Sequence, residues 1–154
     1  MFIHKVCRAL HEGKVEFAIV GGYAVALHGA VRGTVDLDIV LSLTEENFTS
    51  AENALKKLGL LPRLPVVAKE VFRFRREYIG KRNLVAWNFY HPKNPIELVD
   101  IIITHDLKKM RTVFVRSQGQ KLPILAIPDL IRMKRASGRP QDLEDIKALQ
   151  ELKS

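Results

Sequence analysis

Between residues 35 and 43, Val35, Leu37, Ile39 and Leu41 alternate with Asp36, Asp38 and Ser42. A period of two is the signature of a β-strand, so one face of this segment must be buried against another layer. Asp36 and Asp38 then point to the same face, with Cα atoms roughly 6–7 Å apart. Two like charges on one face cost stability, and aspartate is a poor strand former. The fold has to offset that cost. Either both acids face water at a sheet edge, which is what the triplet alone favours, or a divalent cation sits between them, since hard ions choose carboxylate oxygens.

The remaining pattern interleaves helices and strands. Phe2 to His11 has helical spacing and stops at Gly13. Val15 to Val20 reads as a buried strand. Gly21-Gly22 breaks it, and Tyr23 to Gly29 reads as a short alanine-rich helix. Thr44 can cap the next helix, with Asn47 as a weak capping-box partner, and Gly59 ends it. Residues 65–80 suit helix better than strand. Leu84 to Tyr90 and Ile96 to Thr104 form a hairpin around the loop 91–95. Asp106 can cap a short helix. Thr112 to Ser117 and Lys121 to Ala126 are further strands around Gly119. Pro128 opens a helix that Gly138 stops, and a last helix spans 140–152. The expectation is one α/β (α+β) domain over residues 1–154, with a mixed sheet and helices packed on it.

Its 154 residues suffice for one domain with a substantial core. The longest apolar runs, Phe17 to Val20 and Ile101 to Ile103, fall far short of the roughly 20 residues that span a bilayer. The N-terminus breaks its apolar character with charge at once, so no signal peptide is expected. Cys7 is the single cysteine. It cannot form an intramolecular disulfide, and a buried inert thiol in a reducing, cytoplasmic protein is the expectation. The net charge of +8 favours phosphorylated or polyanionic partners.

Asp100 lies within Glu97-Leu98-Val99-Asp100-Ile101-Ile102-Ile103, the most hydrophobic strand of the chain. Burying a lone carboxylate is costly, so it needs a partner. An arginine is one choice. The other is convergence with Asp36 and Asp38, because three carboxylates can hold two Mg²⁺ ions about 3.5–4 Å apart for in-line phosphoryl transfer. Gly21-Gly22 lies between a strand and a helix just before the paired aspartates. Glycines let backbone approach a ligand, and free N–H groups at a helix start suit an anion.

Val20-Gly21-Gly22-Tyr23-Ala24, Leu27-His28-Gly29, Arg32-Gly33-Thr34 and Asp36-Leu37-Asp38 follow in order. This series resembles the glycine motif and paired aspartates of the polymerase-beta-like nucleotidyltransferases. The stretch from Asp129 to Lys134, and that from Ser137 to Ile146, resemble the C-terminal helices of small bacterial and archaeal members related to abortive-infection and toxin–antitoxin systems. The resemblance implies Mg²⁺ or Mn²⁺ on Asp36, Asp38 and Asp100, with a nucleoside triphosphate such as ATP on Gly21 and Gly22. A nucleoside monophosphate would pass to an acceptor hydroxyl on RNA, protein or a small molecule. One departure is Gly22, which stands where many active members carry serine.

Arg32 and Lys134 are candidates for contacting the triphosphate. Pairing of Lys134 with Asp145, and of Arg139 with Asp142, is the competing structural role. The run Arg73, Arg75, Arg76, Lys81 and Arg82 reads as a solvated face that can also meet a polyanion. Trp87 and Tyr90 read as packing. The alternative to an enzyme is a non-catalytic module of the same fold, an antitoxin or an RNA- or partner-binding domain.

Overall fold

A computed structural model describes residues 1–34 and 36–153. Its elements are α1 (Phe2–Glu12), β1 (Phe17–Val20), α2 (Gly21–Leu27), β2 (Leu37–Leu41), α3 (Glu45–Lys57), β3 (Leu61–Pro62), α4 (Ala68–Arg73), α5 (Arg75–Arg82), β4 (Ala86–His91), β5 (Asn94–Ile102), β6 (Thr112–Ser117), β7 (Gln120–Leu125), α6 (Ile127–Ser137) and α7 (Pro140–Lys153). A single 3-10 turn, Leu107–Lys109, precedes β6. The seven strands form one mixed sheet in the order β3-β4-β5-β2-β1-β7-β6. β1 runs antiparallel to β2 and parallel to β7, and β2 runs parallel to β5. No helix among the described residues is long and apolar enough to cross a membrane.

All four residues of β1 are buried, so the sheet centre is covered on both faces, which accounts for its unbroken apolar run. In β2 only Asp38 is part-exposed, so the covering layers leave a gap there. Trp87 is packed inside, stacked on Phe48 with centroids 6.1 Å apart. Cys7 is buried, and burial pushes its thiol pKa up to about 12, which keeps it inert at neutral pH.

Sequence and structure differ at several joints. The second strand is shorter than the pattern 35–43: Val35 lies outside the described residues, and Asp36 precedes the strand rather than belonging to it. β1 ends at Val20, opposite Asp38, so earlier residues can pair on the β5 side alone. The helix after β1 already begins at Gly21. Residues 65–80 hold two helices separated at Phe74, where φ is −104° and ψ is 21°. The loop expected at 91–95 is tighter, because His91 pairs with Asn94. β3 escaped the pattern, since two residues carry no period; Pro62 is tolerated there because β3 is an edge strand.

Thr44 caps α3 by accepting the Asn47 backbone N–H at 3.1 Å. The Asn47 side chain has a different part from the expected capping box. Its Nδ2 donates to the Glu16 carbonyl at 2.8 Å and the Ser42 carbonyl at 3.1 Å, and its Oδ1 accepts the Glu16 N–H at 2.8 Å. One buried amide thus ties the entry of β1 to the exit of β2. Asn47→Ala would strand these backbone groups, and we expect a loss of about 2–3 kcal/mol in urea unfolding, against about 1 kcal/mol for Thr44→Ala. Equal small losses would show that water replaces the amide.

Candidate active site

The register of three strands builds the site. Asp38 is the direct partner of Asp100 across the parallel β2–β5 pair, and Asp100 is the partner of Asn88 across β4–β5. Directly paired residues point to the same face of a sheet, so all three side chains meet there. Asn88 Nδ2 donates to Asp100 Oδ1 at 2.6 Å. Asp36 stands at the exposed approach to β2.

Electrostatics follow from this placement. Burial, then the charges of Asp100 and Asp36 and a hydrogen bond shared with Asp100, raise the Asp38 pKa to about 7, while Lys134 opposes the rise. Burial likewise raises Asp100, against the hydrogen bond from Asn88, and the Asp36 charge adds to the rise. The two carboxylates interact strongly enough to titrate as a pair, with Asp38 the member that keeps a proton up to about pH 7. Asp36 influences both without joining them. Among the described residues no three histidine, cysteine or acidic side chains close to metal-binding spacing.

The glycine turn presses on this pair. Gly21 has φ +66°, and a Cβ there would lie 2.1 Å from Asp38 Oδ2. Both backbone and space therefore demand glycine. A Cβ on Gly22 would meet Thr34 Oγ1 at 2.9 Å and Arg32 Cζ at 3.2 Å. The volume that a serine would occupy is already filled by Thr34 and Arg32, which gives the sequence departure a local cause.

A charged network flanks Asp38. Lys134 is buried, with Nζ 2.8 Å from Asp145 Oδ2 and 3.5 Å from Asp142 Oδ1. Arg32 Nε donates to Asp145 Oδ1 at 3.0 Å, and Arg139 Nε to Asp142 Oδ2 at 2.8 Å. Burial alone would raise both acids, but these hydrogen bonds and charges outweigh it and hold them below the usual carboxylate range. Both pairings set against phosphate contact in the sequence are therefore present, and Arg32 and Lys134 share Asp145. Three cations face two carboxylates, which leaves net positive charge beside the aspartates. His28 Nε2 donates to the Leu125 carbonyl at 2.8 Å, a structural tie between α2 and β7.

Two neighbours of the pair were not found by sequence reasoning. Asn88 sits in a run read as packing; its signal was a polar residue alternating with Trp87 and Phe89. Arg63 lies 5.2 Å from the centroid of Tyr90, and its charge lowers the Asp100 pKa. Sequence gave no signal for it, since it lies 37 positions from Asp100 beside an unrecognised strand.

Three solved structures share this architecture. The antibiotic-resistance factor ANT(2'')-Ia aligns over 96% of this chain and 80% of its own, with 14% identity and a TM-score of 0.66. The lincosamide adenylyltransferase LnuA aligns over 92% and 90%, with 14% identity and a TM-score of 0.61. An antigenic nucleotidyltransferase-like protein from Paracoccidioides brasiliensis aligns over 95% and 72%, with 19% identity and a TM-score of 0.60. No protein-family model matches the chain, and no curated protein matches it by sequence. The chain has the polymerase-beta-like nucleotidyltransferase fold.

The raised Asp38 pKa sets the pH dependence of stability. An unfolded aspartate titrates near about 3.9. Between that value and about 7 folded Asp38 keeps a proton that the unfolded chain has released, so its contribution makes stability fall as pH rises, while His4 and His105, whose pKa values are lowered by burial, act in the opposite sense. Asp38→Asn should abolish most of that slope and be more stable than wild type at pH about 8, by more than about 1 kcal/mol. Urea unfolding at pH about 5 and about 8 measures both slopes; identical slopes would place the titration elsewhere.

Proposed function

We propose that the chain is a nucleotidyltransferase that moves a nucleoside monophosphate from a nucleoside triphosphate to an acceptor hydroxyl. The observation that carries this reading is the meeting of Asp38 and Asp100, in register, under the Gly21 turn. The relatives in fold include an adenylyltransferase, which agrees with it. The residues suit a divalent cation: two hard oxygen donors that share a proton offer a ready place for one, and Asp36 is near enough for its charge to act on both. Mg²⁺ or Mn²⁺ bound by Asp36, Asp38 and Asp100 would neutralise phosphate charge and acidify the acceptor hydroxyl.

The residues divide the remaining work. The backbone of Gly21 and Gly22, without side chains in the way, receives the phosphates. Arg32 and Lys134 add positive charge behind them, although both are committed to Asp145. Asp100 takes the proton from the acceptor hydroxyl. That oxygen bonds to the α-phosphorus as the bond to the bridging oxygen breaks, and pyrophosphate leaves. Asn88 holds Asp100 Oδ1, and the hydrogen bond with Asp38 further orients this carboxylate. Arg63 and Tyr90 stand on the acceptor side, beyond β5 from the glycine turn.

The position of Asp36 outside the pair favours a second reading, a non-catalytic module of this fold that binds a partner or RNA in the manner of an antitoxin. Asp100→Asn separates the two. On the first reading it leaves triphosphate affinity nearly unchanged and lowers single-turnover transfer by about a thousandfold or more. Asn88→Ala lowers transfer by about ten- to a hundredfold at unchanged affinity. With Mg²⁺, ATP should raise the melting temperature, and Asp36→Asn with Asp38→Asn should remove the rise. Wild type that binds nucleotide yet transfers to no RNA, protein or small-molecule hydroxyl gives the second reading.

A further inference from the structure

The end of the sheet opposite the glycine turn carries a basic groove. β2 and β5 are parallel, and the groove begins where both have ended, at Leu43 and Thr104. Leu43 is five residues past Asp38, roughly 17 Å along the strand. Two adjoining hollows of about 360 Å³ and 350 Å³ share Leu43 and Arg75. Arg75, Lys109 and Arg132 line the first, and Arg73, Arg75 and Arg76 line the second. The cations come from α4, α5, the 3-10 turn and α6, so the fold gathers them from separate parts of the chain.

Three acids, Asp106, Asp129 and Glu77, also line the hollows, so five cations face three acids. Asp129 receives Arg132 and the Arg111 N–H. Asp106 receives the N–H groups of Leu43 at 3.2 Å and Lys108 at 3.1 Å. Glu77 also lines the second hollow. On the other side, Arg75 is pre-positioned by donating to the Ile103 carbonyl at 2.7 Å, which leaves other guanidinium N–H groups for a ligand. Arg73 pairs with Glu45 on the exposed surface. The side chains of Arg76 and Lys109 have no hydrogen-bond or ion-pair partner among the described residues. Phe74, at the break between α4 and α5, lines neither hollow but is 50% exposed next to them in the chain, between Arg73 and Arg75.

We propose that this groove is a second binding site, separate from the aspartate cleft, for a single-stranded nucleic acid. Its phosphates lie on Arg73, Arg75, Arg76, Lys109 and Arg132, and a base stacks on Phe74. Guanidinium groups match phosphate oxygens two at a time, and four of the five cations are arginines. A base has a π-face that an exposed phenylalanine between arginines can take, as single-strand binders use generally. An isolated triphosphate would need cations around one point, whereas these are spread over two hollows.

The test is fluorescence anisotropy with a labelled single-stranded RNA of about 12 nucleotides. It is run in EDTA, from about 50 to about 200 mM salt. Wild type should bind, with an affinity that falls steeply with salt. Arg76→Glu with Lys109→Glu should weaken binding by about tenfold or more and lower the salt slope by about two. Phe74→Ala should weaken binding by about five- to tenfold with the slope unchanged. Lys57→Glu with Arg116→Glu, which changes net charge equally on remote surfaces, should cost less than about threefold. Asp38→Asn with Asp100→Asn should bind RNA as wild type does, so this result stands or falls apart from nucleotidyl transfer. No binding by wild type, equal weakening by both charge-reversal pairs, loss of binding in the aspartate variant, or stoichiometric displacement of RNA by inorganic triphosphate would each overturn the proposal. Thermal melts of every variant confirm that the comparison is between folded proteins.

Discussion

Two carboxylates are forced together at the centre of this molecule, and much of the surrounding structure is arranged to tolerate it. Asp38 and Asp100 are adjacent because β2 and β5 are parallel and in register, and the register is fixed by the apolar residues on either side. Leu37, Ile39, Val99 and Ile101 are all fully buried. A slip of one residue in either strand would turn its two apolar side chains toward the face that holds the aspartates and break the core. The hydrophobic effect thus holds the acids in contact, against their own repulsion.

Three features offset that repulsion. The raised Asp38 pKa, about 7, lets a proton remove one of the two charges below neutrality. Asn88 supplies a hydrogen bond to Asp100 from the next strand. Lys134, buried behind Asp38, opposes the rise in its pKa. Lys134 itself is charged and buried, which is costly unless it is paired. Asp142 and Asp145 pair it, and Arg32 and Arg139 in turn keep those acids ionised. The last two helices are therefore coupled to the carboxylate pair through charge as well as through packing.

Much of the fold was legible because its signals are local. Thr44, Gly138, the period-two run of β2 and the turn at Gly119 between two short strands act within a few residues, and their elements lie close to where those signals place them. Gly138 has φ +64°, the left-handed conformation that ends a helix most cheaply with glycine. The site was legible as residue types: the aspartates, the glycines and the cations of the later helices all stand out in the sequence. Register between distant strands is not a local property. Nothing near Asn88 reveals that it faces Asp100, and nothing near Asp36 reveals that β1 stops short and leaves it outside the ladder. β3 and Arg63 were missed for the same reason, since both acquire meaning only once β4 is placed beside them.

Gly22 shows how a departure from a motif can be structural in origin. A serine at this position would need the volume held by Thr34 and the Arg32 guanidinium. Arg32 is drawn there by Asp145, and Asp145 is the ion-pair partner of Lys134, which is buried beside Asp38. The small residue at the turn is thus linked, through three side chains, to the same offset of carboxylate charge. A side chain at Gly22 would gain one hydroxyl near the turn only by displacing part of the network that makes the carboxylate pair tolerable. Within this chain the glycine is the consistent choice; under the proposed function, a phosphate would meet backbone N–H groups and the positive charge of Arg32 and Lys134.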